Sequence, residues 1–494
     1  MARTPPTFEP RDQVALRVLA AKQDRHQAWE ALCAYLVQPR MEKSASLWLP
    51  FMEELLRGWP DEARTWPDAF LNKKSAPAAT ALVRHFYFGR RTEAAHAKAL
   101  AQLAALSEAS MPKLTCFTLA AYFLDTPARR VTNARRLSVE EAQMLVARMS
   151  MASMRSVRIE GTGLPTLLWE ALAGAAWELD TLHLTGAARD AEVARLIEAP
   201  GVRFGALIAG DILGRVELGA ASVAALITHH ARSLKALTLI EAMVDAPSFV
   251  ALSQAGWPRL RLLSFDRQRF ALAPVLAAWF ANAPGLVALE LSIATTSRRC
   301  WLADTQPEDL SSLIEALKQS ALPRLESLTL GFESSERLSE VLRIFLDHAG
   351  LTESLKQLTL PGRGADAEVA GMLLPLHLEA LSVVGAQPSF WPAMETADFT
   401  QLRCLAAGAC GRDLKDEELA FPFVLMKDKA PPLEELHLDY ATVSHVVLDA
   451  IESAPYFARL RALSKTSSPS FNDESARARF HAMNEVVTQR LVAD

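Results

Sequence analysis

The hexapeptide Leu325-Glu326-Ser327-Leu328-Thr329-Leu330 constrains this chain more than any other feature. It reads Leu-x-x-Leu-x-Leu, and its last two leucines stand two residues apart, the period of a strand with one buried face. The phrase returns at Leu234, Leu355 and Leu433, with weaker copies opening at Leu114, Met154, Leu179, Phe204, Leu260, Leu286, Leu378, Leu402 and Leu460. Successive openings lie from 23 residues (Leu355 to Leu378) to 40 residues (Leu114 to Met154) apart. A unit of that length that cannot bury its own apolar face must stack on its neighbours, so the chain is expected to be a solenoid.

The register has weak places. Two intervals near 40 place insertions at about 121–137 and 292–306. Gly205 and Gly210 dilute the copy at Phe204, and Val216-Glu217-Leu218 competes with it. Phe204 is preferred because it divides the gap between Leu179 and Leu234 most evenly. Between the strand phrases lie helical patterns. Pro307-Glu308-Asp309 precedes one that ends near Lys318, the polarity a helix dipole favours. Another, from Ser339 to His348, sets Val341, Leu342, Phe345 and Leu346 on one face.

Residues 1–110 carry no Leu-x-x-Leu-x-Leu phrase. Trp29, Leu32, Cys33 and Leu36 share one helical face within 11–37, and Met52, Leu55, Leu56 and Trp59 repeat that spacing. Further helices are expected at 76–88 and 92–106. The segment reads as a small all-α region covering the open end of the array. At the other end Lys465 takes the last apolar slot of the Leu460 copy, and Asn472 opens a helix with Phe480, Met483, Val487 and Leu491. The expected division is therefore 1–110, 111–465 for the repeats, and 466–494 as a C-terminal capping helix.

With these residues in place, the chain resembles the leucine-rich-repeat superfamily, in its helix-bearing, ribonuclease-inhibitor-like class, over about 114–465. The resemblance implies an α/β horseshoe with a parallel sheet on the concave face and helices on the convex face. It also implies a surface that binds proteins. The Asn or Cys usual three positions after the last Leu is replaced by Ala242, Glu333, Arg363 and Ala441 in the four best copies.

Composition narrows the function. The 494 residues carry a formal charge of -5, which argues against general attraction to nucleic acid or anionic lipid. Cys33, Cys116, Cys300, Cys404 and Cys410 are odd in number and contain no Cys-x-x-Cys, so a reducing, cytoplasmic setting is expected. The N-terminus has no signal-peptide pattern, and Leu272–Leu289, the most apolar run, is broken by Pro274, Asn282 and Pro284.

The search for chemistry yields no catalytic set. There is no P-loop, and Gly362-Arg363-Gly364 reads as a repeat turn. His229-His230 falls at a helix end, where exposed imidazoles are ordinary. Glu435, His437 and Asp439 alternate on one strand, the arrangement of a proton relay, a metal half-site or, as preferred here, a polar binding surface. No metal, cofactor or catalytic residue is expected. The candidate partner-binding positions are Arg158, His183, Thr238, Glu290, Thr329, Thr359, Glu435, His437 and Asp439 on the outward strand face. Arg298, Arg299 and Trp301 form a second candidate in the later insertion, since Trp beside Arg is typical of interface anchors. The basic run Arg129-Arg130 and Arg135-Arg136 reads as a solvated loop.

The expectation is a non-catalytic protein-binding module or scaffold. The alternative is a regulator of an enzyme, an inhibitor or a GTPase activator acting through Arg298 or Arg129. A catalytic domain beside the repeats lacks room.

Overall fold

A computed structural model describes residues 8–20, 25–70, 77–88, 98, 101–105, 114–122, 139–150, 154–162, 166–186, 188–210, 216–240, 242–266, 273–292, 324–331, 335–347, 351–361, 364–409, 416–438, 443–465, 471 and 473–493. The chain divides into two compact units, the first 1–235 with 240–251 and the second 236–239 with 252–494.

The repeated phrase is the strand of the fold. In the first unit the strands are β1 (His85–Phe88), β2 (Cys116–Tyr122), β3 (Ser156–Thr162), β4 (Trp177–Leu184) and β5 (Val202–Ala209), with the short β6 (Glu217–Leu218). Then follow β7 (Ala236–Ile240) and the short β8 (Met243–Val244). The second unit continues with β9 (Leu262–Asp266), β10 (Ala288–Ser292), β11 (Ser327–Gly331), β12 (Gln357–Pro361), β13 (Ala380–Ala386), β14 (Cys404–Ala409), β15 (Glu435–Leu438) and β16 (Ala462–Lys465). Fourteen of them form one sheet in chain order, while β6 and β8 pair separately.

Within each unit the pairing is parallel and keeps the phrase in register. Leu289, Leu328 and Leu358 are successive partners, and all three are buried. The second leucine row, from Leu291 through Leu330, is buried likewise. Parallel strands must be joined by crossovers, and here these are mostly helices that bury one face. Ser335–Leu346 hides Leu338, Val341, Leu342 and Phe345 and packs on β11. The expected helix after Pro307 lies outside the described residues.

The doubtful copy at Phe204 is a strand, with Phe204, Leu207 and Ala209 buried. Its rival survives as β6. Gly210, which weakened the pattern, ends β5 with φ +98°, and a Cβ there would lie 1.6 Å from the Ile240 carbonyl oxygen. Only glycine fits so close an approach.

The N-terminal region departs from the all-α expectation. The helix expected within 11–37 is two, Pro10–Ala20 and Arg25–Leu36. Where a helix was expected at 76–88, a 3-10 turn (Ala78–Leu82) runs into β1, which pairs parallel with β2. His85-Phe86-Tyr87-Phe88 is aromatic, a composition suited to strands, and Phe86 is buried beside its partner Phe117. Of the helix expected at 92–106, residues 101–105 are helical, and most of the remainder lies outside the described residues. His230 is also corrected. It is buried rather than exposed, its Nε2–H donates to the Ile197 carbonyl at 3.1 Å, and its ring stacks on Phe204 at 3.9 Å. At the C-terminus the helix Glu474–Ala493 buries Phe480, Met483 and Val487 and contacts β16.

Candidate binding surface

Strand residues that alternate with the core leucines line up as rows on the other face of the sheet. In the first unit the register carries Tyr87, Thr118, Arg158, His183 and Ile208 across β1 to β5. Two residues earlier runs His85, Cys116, Ser156, Thr181 and Ala206. Arg158 and His183, both expected to bind, are thus direct neighbours.

Members of these rows from β2 to β5, Arg158 and His183 among them, floor a cleft of about 580 Å³. Its walls include Trp59, Asp61 and Glu62, supplied by the 3-10 turn Asp61–Ala63 and the chain before it. Arg155 and Asp180 complete its charged lining. The turn is tied to the sheet by side chains. The Thr115 hydroxyl donates to Asp61 Oδ2 at 2.5 Å, and the Cys116 thiol donates to Glu62 Oε1 at 3.4 Å. His85 Nδ1–H donates to the Glu62 carbonyl at 3.0 Å. Arg158 pairs with Glu160 on the same strand. The lining therefore sets Asp61, Glu62 and Asp180 beside Arg155 and Arg158, and no single sign dominates.

Sequence reasoning missed the place of Trp59, Asp61 and Glu62 in this wall, because a segment assigned to capping was not searched for one. The thiol of Cys116 is held toward its protonated form. Burial, and then the Glu62 carboxylate, push it up to about 12. Cys33, wholly buried, is also raised well above the ordinary thiol range, with burial again the first cause.

In the second unit the corresponding row reads Ser264, Glu290, Thr329, Thr359, Ser382, Ala406, His437 and Ser464. Glu290, Thr329, Thr359, Ser382, His437 and Ser464 are half-buried. Thr238, on β7, is half-buried as well.

The row ends in a cluster. Cys404 and Glu435 are register partners on β14 and β15, and His437 lies two residues beyond Glu435 on the same side. A donor atom from each lies within 4.8 Å of the other two. His437 Nε2 is 3.5 Å from Glu435 Oε2, and its Nδ1 is 2.6 Å from the Ser464 hydroxyl. Burial first, then Glu435, raises the Cys404 thiol to about 11. Glu435 and His437, expected on one strand face, thus lie together, and among the described residues Cys404 joins them. It occupies the third position of its own repeat, so a list of third positions beside the fifth would have found it. Asp439, Arg298, Arg299 and Trp301 lie outside the described residues, as do Arg129, Arg130, Arg135, Arg136, Gly362 and Arg363.

Among the described residues no helix is long and apolar enough to cross a membrane. No protein-family model matches the chain, and no curated protein matches it. Among solved structures, a chain in the crystal structure of the Rad7 and Elc1 complex in yeast is similar, with 14% identity and a TM-score of 0.42 over 81% of this chain and 88% of that one.

Proposed function

We propose that the chain is a non-catalytic protein-binding module of the leucine-rich-repeat, ribonuclease-inhibitor-like class, working in a reducing compartment such as the cytoplasm. One observation carries the reading. The face opposite the leucines carries register-aligned rows rich in hydroxyls, with Arg158 and Glu290 as charges of opposite sign, partly open to solvent. Such a field complements a polypeptide, which offers backbone donors and acceptors and mixed charge, better than a polyanion. The cleft at Arg158 and His183, flanked by half-buried Trp59, supplies a pocket for an anchoring side chain. The high thiol ranges of Cys33, Cys116 and Cys404 agree with a non-catalytic role.

The test begins with affinity capture of a partner on the intact chain and its identification by mass spectrometry. That partner is then titrated against two double variants, Thr329→Arg with Thr359→Arg, and Arg158→Ala with His183→Ala. Thr329 and Thr359 are register partners, so two arginines there crowd the face without touching the leucines. Surface changes of this kind cost within about 0.5 kcal/mol of stability. Loss of the partner by at least one folded double variant is expected. Retention by both, with loss in Trp301→Ala, would move the binding site to the insertion and end this reading.

A further inference from the structure

We propose that Cys404, Glu435 and His437 form a zinc site on the face of the sheet opposite the leucine core. The strands place the three donors with little freedom. Cys404 and Glu435 face each other across the β14–β15 pair, and His437 follows Glu435 by one full strand period. One sulfur, one imidazole nitrogen and one carboxylate oxygen therefore converge within 4.8 Å.

The spacing suits the ion. Zinc bonds of 2.0–2.3 Å in a tetrahedral shell put neighbouring donors about 3.3–3.6 Å apart. The His437 Nε2 to Glu435 Oε2 distance is already 3.5 Å. Closing the sulfur from the outer bound of 4.8 Å needs about 1.2 Å, within reach of one side-chain rotation.

The second hydrogen bond of the imidazole argues in the same direction. The Ser464 hydroxyl at Nδ1 can hold the proton on that nitrogen, which leaves the Nε2 lone pair facing Glu435. Orientation of a ligating histidine through its other nitrogen is the usual outer-shell device at zinc centres. The donor set also discriminates. Thiolate, imidazole and carboxylate together favour zinc over magnesium or calcium, which prefer oxygen alone. Three protein donors leave a fourth position for water or a further donor.

The step balances simply. Zn2+ replaces the thiol proton of Cys404, a zinc–sulfur bond forms, and one proton leaves to solvent; His437 enters neutral and Glu435 ionised. A cysteine thiol is largely protonated at neutral pH, so binding as the thiolate releases close to one proton.

The test uses the intact, reduced, metal-free chain. Co2+ serves as the visible probe and Zn2+ is then measured in competition with a chromophoric chelator. One equivalent of Co2+ is expected to give a thiolate-to-cobalt charge-transfer band that Zn2+ abolishes and Mg2+ does not. Cys404→Ser should lose the band, whereas Cys410→Ser should keep it. His437→Ala and Glu435→Gln should each weaken Zn2+ at least tenfold, and a pH-stat should record about one proton per zinc. Absence of the band, its survival in Cys404→Ser, or unchanged affinity in Glu435→Gln would overturn the proposal. Glu435 is exposed, so that variant stays informative even where the cysteine variant fails to fold.

Discussion

His85 Nε2 lies 2.9 Å from the Thr118 hydroxyl on the neighbouring strand, while its Nδ1–H is spent on the Glu62 carbonyl. The ring is buried and bonded at both nitrogens as a neutral imidazole. Burial, the largest influence, lowers its proton affinity below the ordinary histidine value, despite the opposing pull of Glu62. His230 is buried and shifted the same way, again by burial first.

A depressed histidine fixes the sign of the pH response. Below about pH 6.5 the unfolded chain takes up protons that the folded chain refuses, so acid favours unfolding. Urea midpoints of the intact chain should fall between pH 7.5 and 5.5, and the fall should shrink in a variant carrying His85→Gln and His230→Gln. An equal fall in that variant would assign the pH response to other groups.

Asp190 opens a second prediction. It begins the helix Asp190–Glu198, yet its carboxylate accepts from Gly219 N at 2.8 Å, Ser222 N at 2.9 Å, Ala221 N at 3.1 Å and the Ser222 hydroxyl at 2.5 Å. It caps the next helix of the array, Ala220–His230, from 29 residues away. Burial raises its proton affinity, but the Ser222 and backbone bonds outweigh that and hold it below the usual carboxylate range. Asp190→Ala should cost roughly 1–2 kcal/mol, the upper range for a lost cap. Denaturant melts of variant and parent measure it, and Ser222→Ala should recover only part of the same loss.

Gly210 shows where the sequence stopped being readable. The buried strand leucines of the second unit, such as Leu289, Leu328 and Leu358, followed from the period-two phrase, because one slip of register would expose the whole row. The rest depended on contacts between segments distant in sequence. Gly210 looked like a flaw until Ile240 was placed against it. The β1 strand was hidden because His85–Phe88 repeats no leucine and gains its pairing from β2. Cys404 could not be matched with His437 until β14 and β15 were aligned. Gly210→Ala should therefore destabilise the first unit by roughly 3 kcal/mol or more, since it combines a positive φ with a backbone clash. A melt within 0.5 kcal/mol of the parent would contradict the close approach.

Leu328 tests the array itself. It is 1% exposed and flanked in register by Leu289 and Leu358, so both neighbours of its strand lose packing when it is cut. Truncation to alanine should cost roughly 2–5 kcal/mol, the range for a core leucine that leaves a cavity. Because a repeat chiefly touches its neighbours, the loss should be local. Hydrogen exchange should speed up most in β10, β11 and β12 and least in β15 and β16. Uniform acceleration across the second unit would show instead that its strands open together, and that stability is shared rather than summed along the stack.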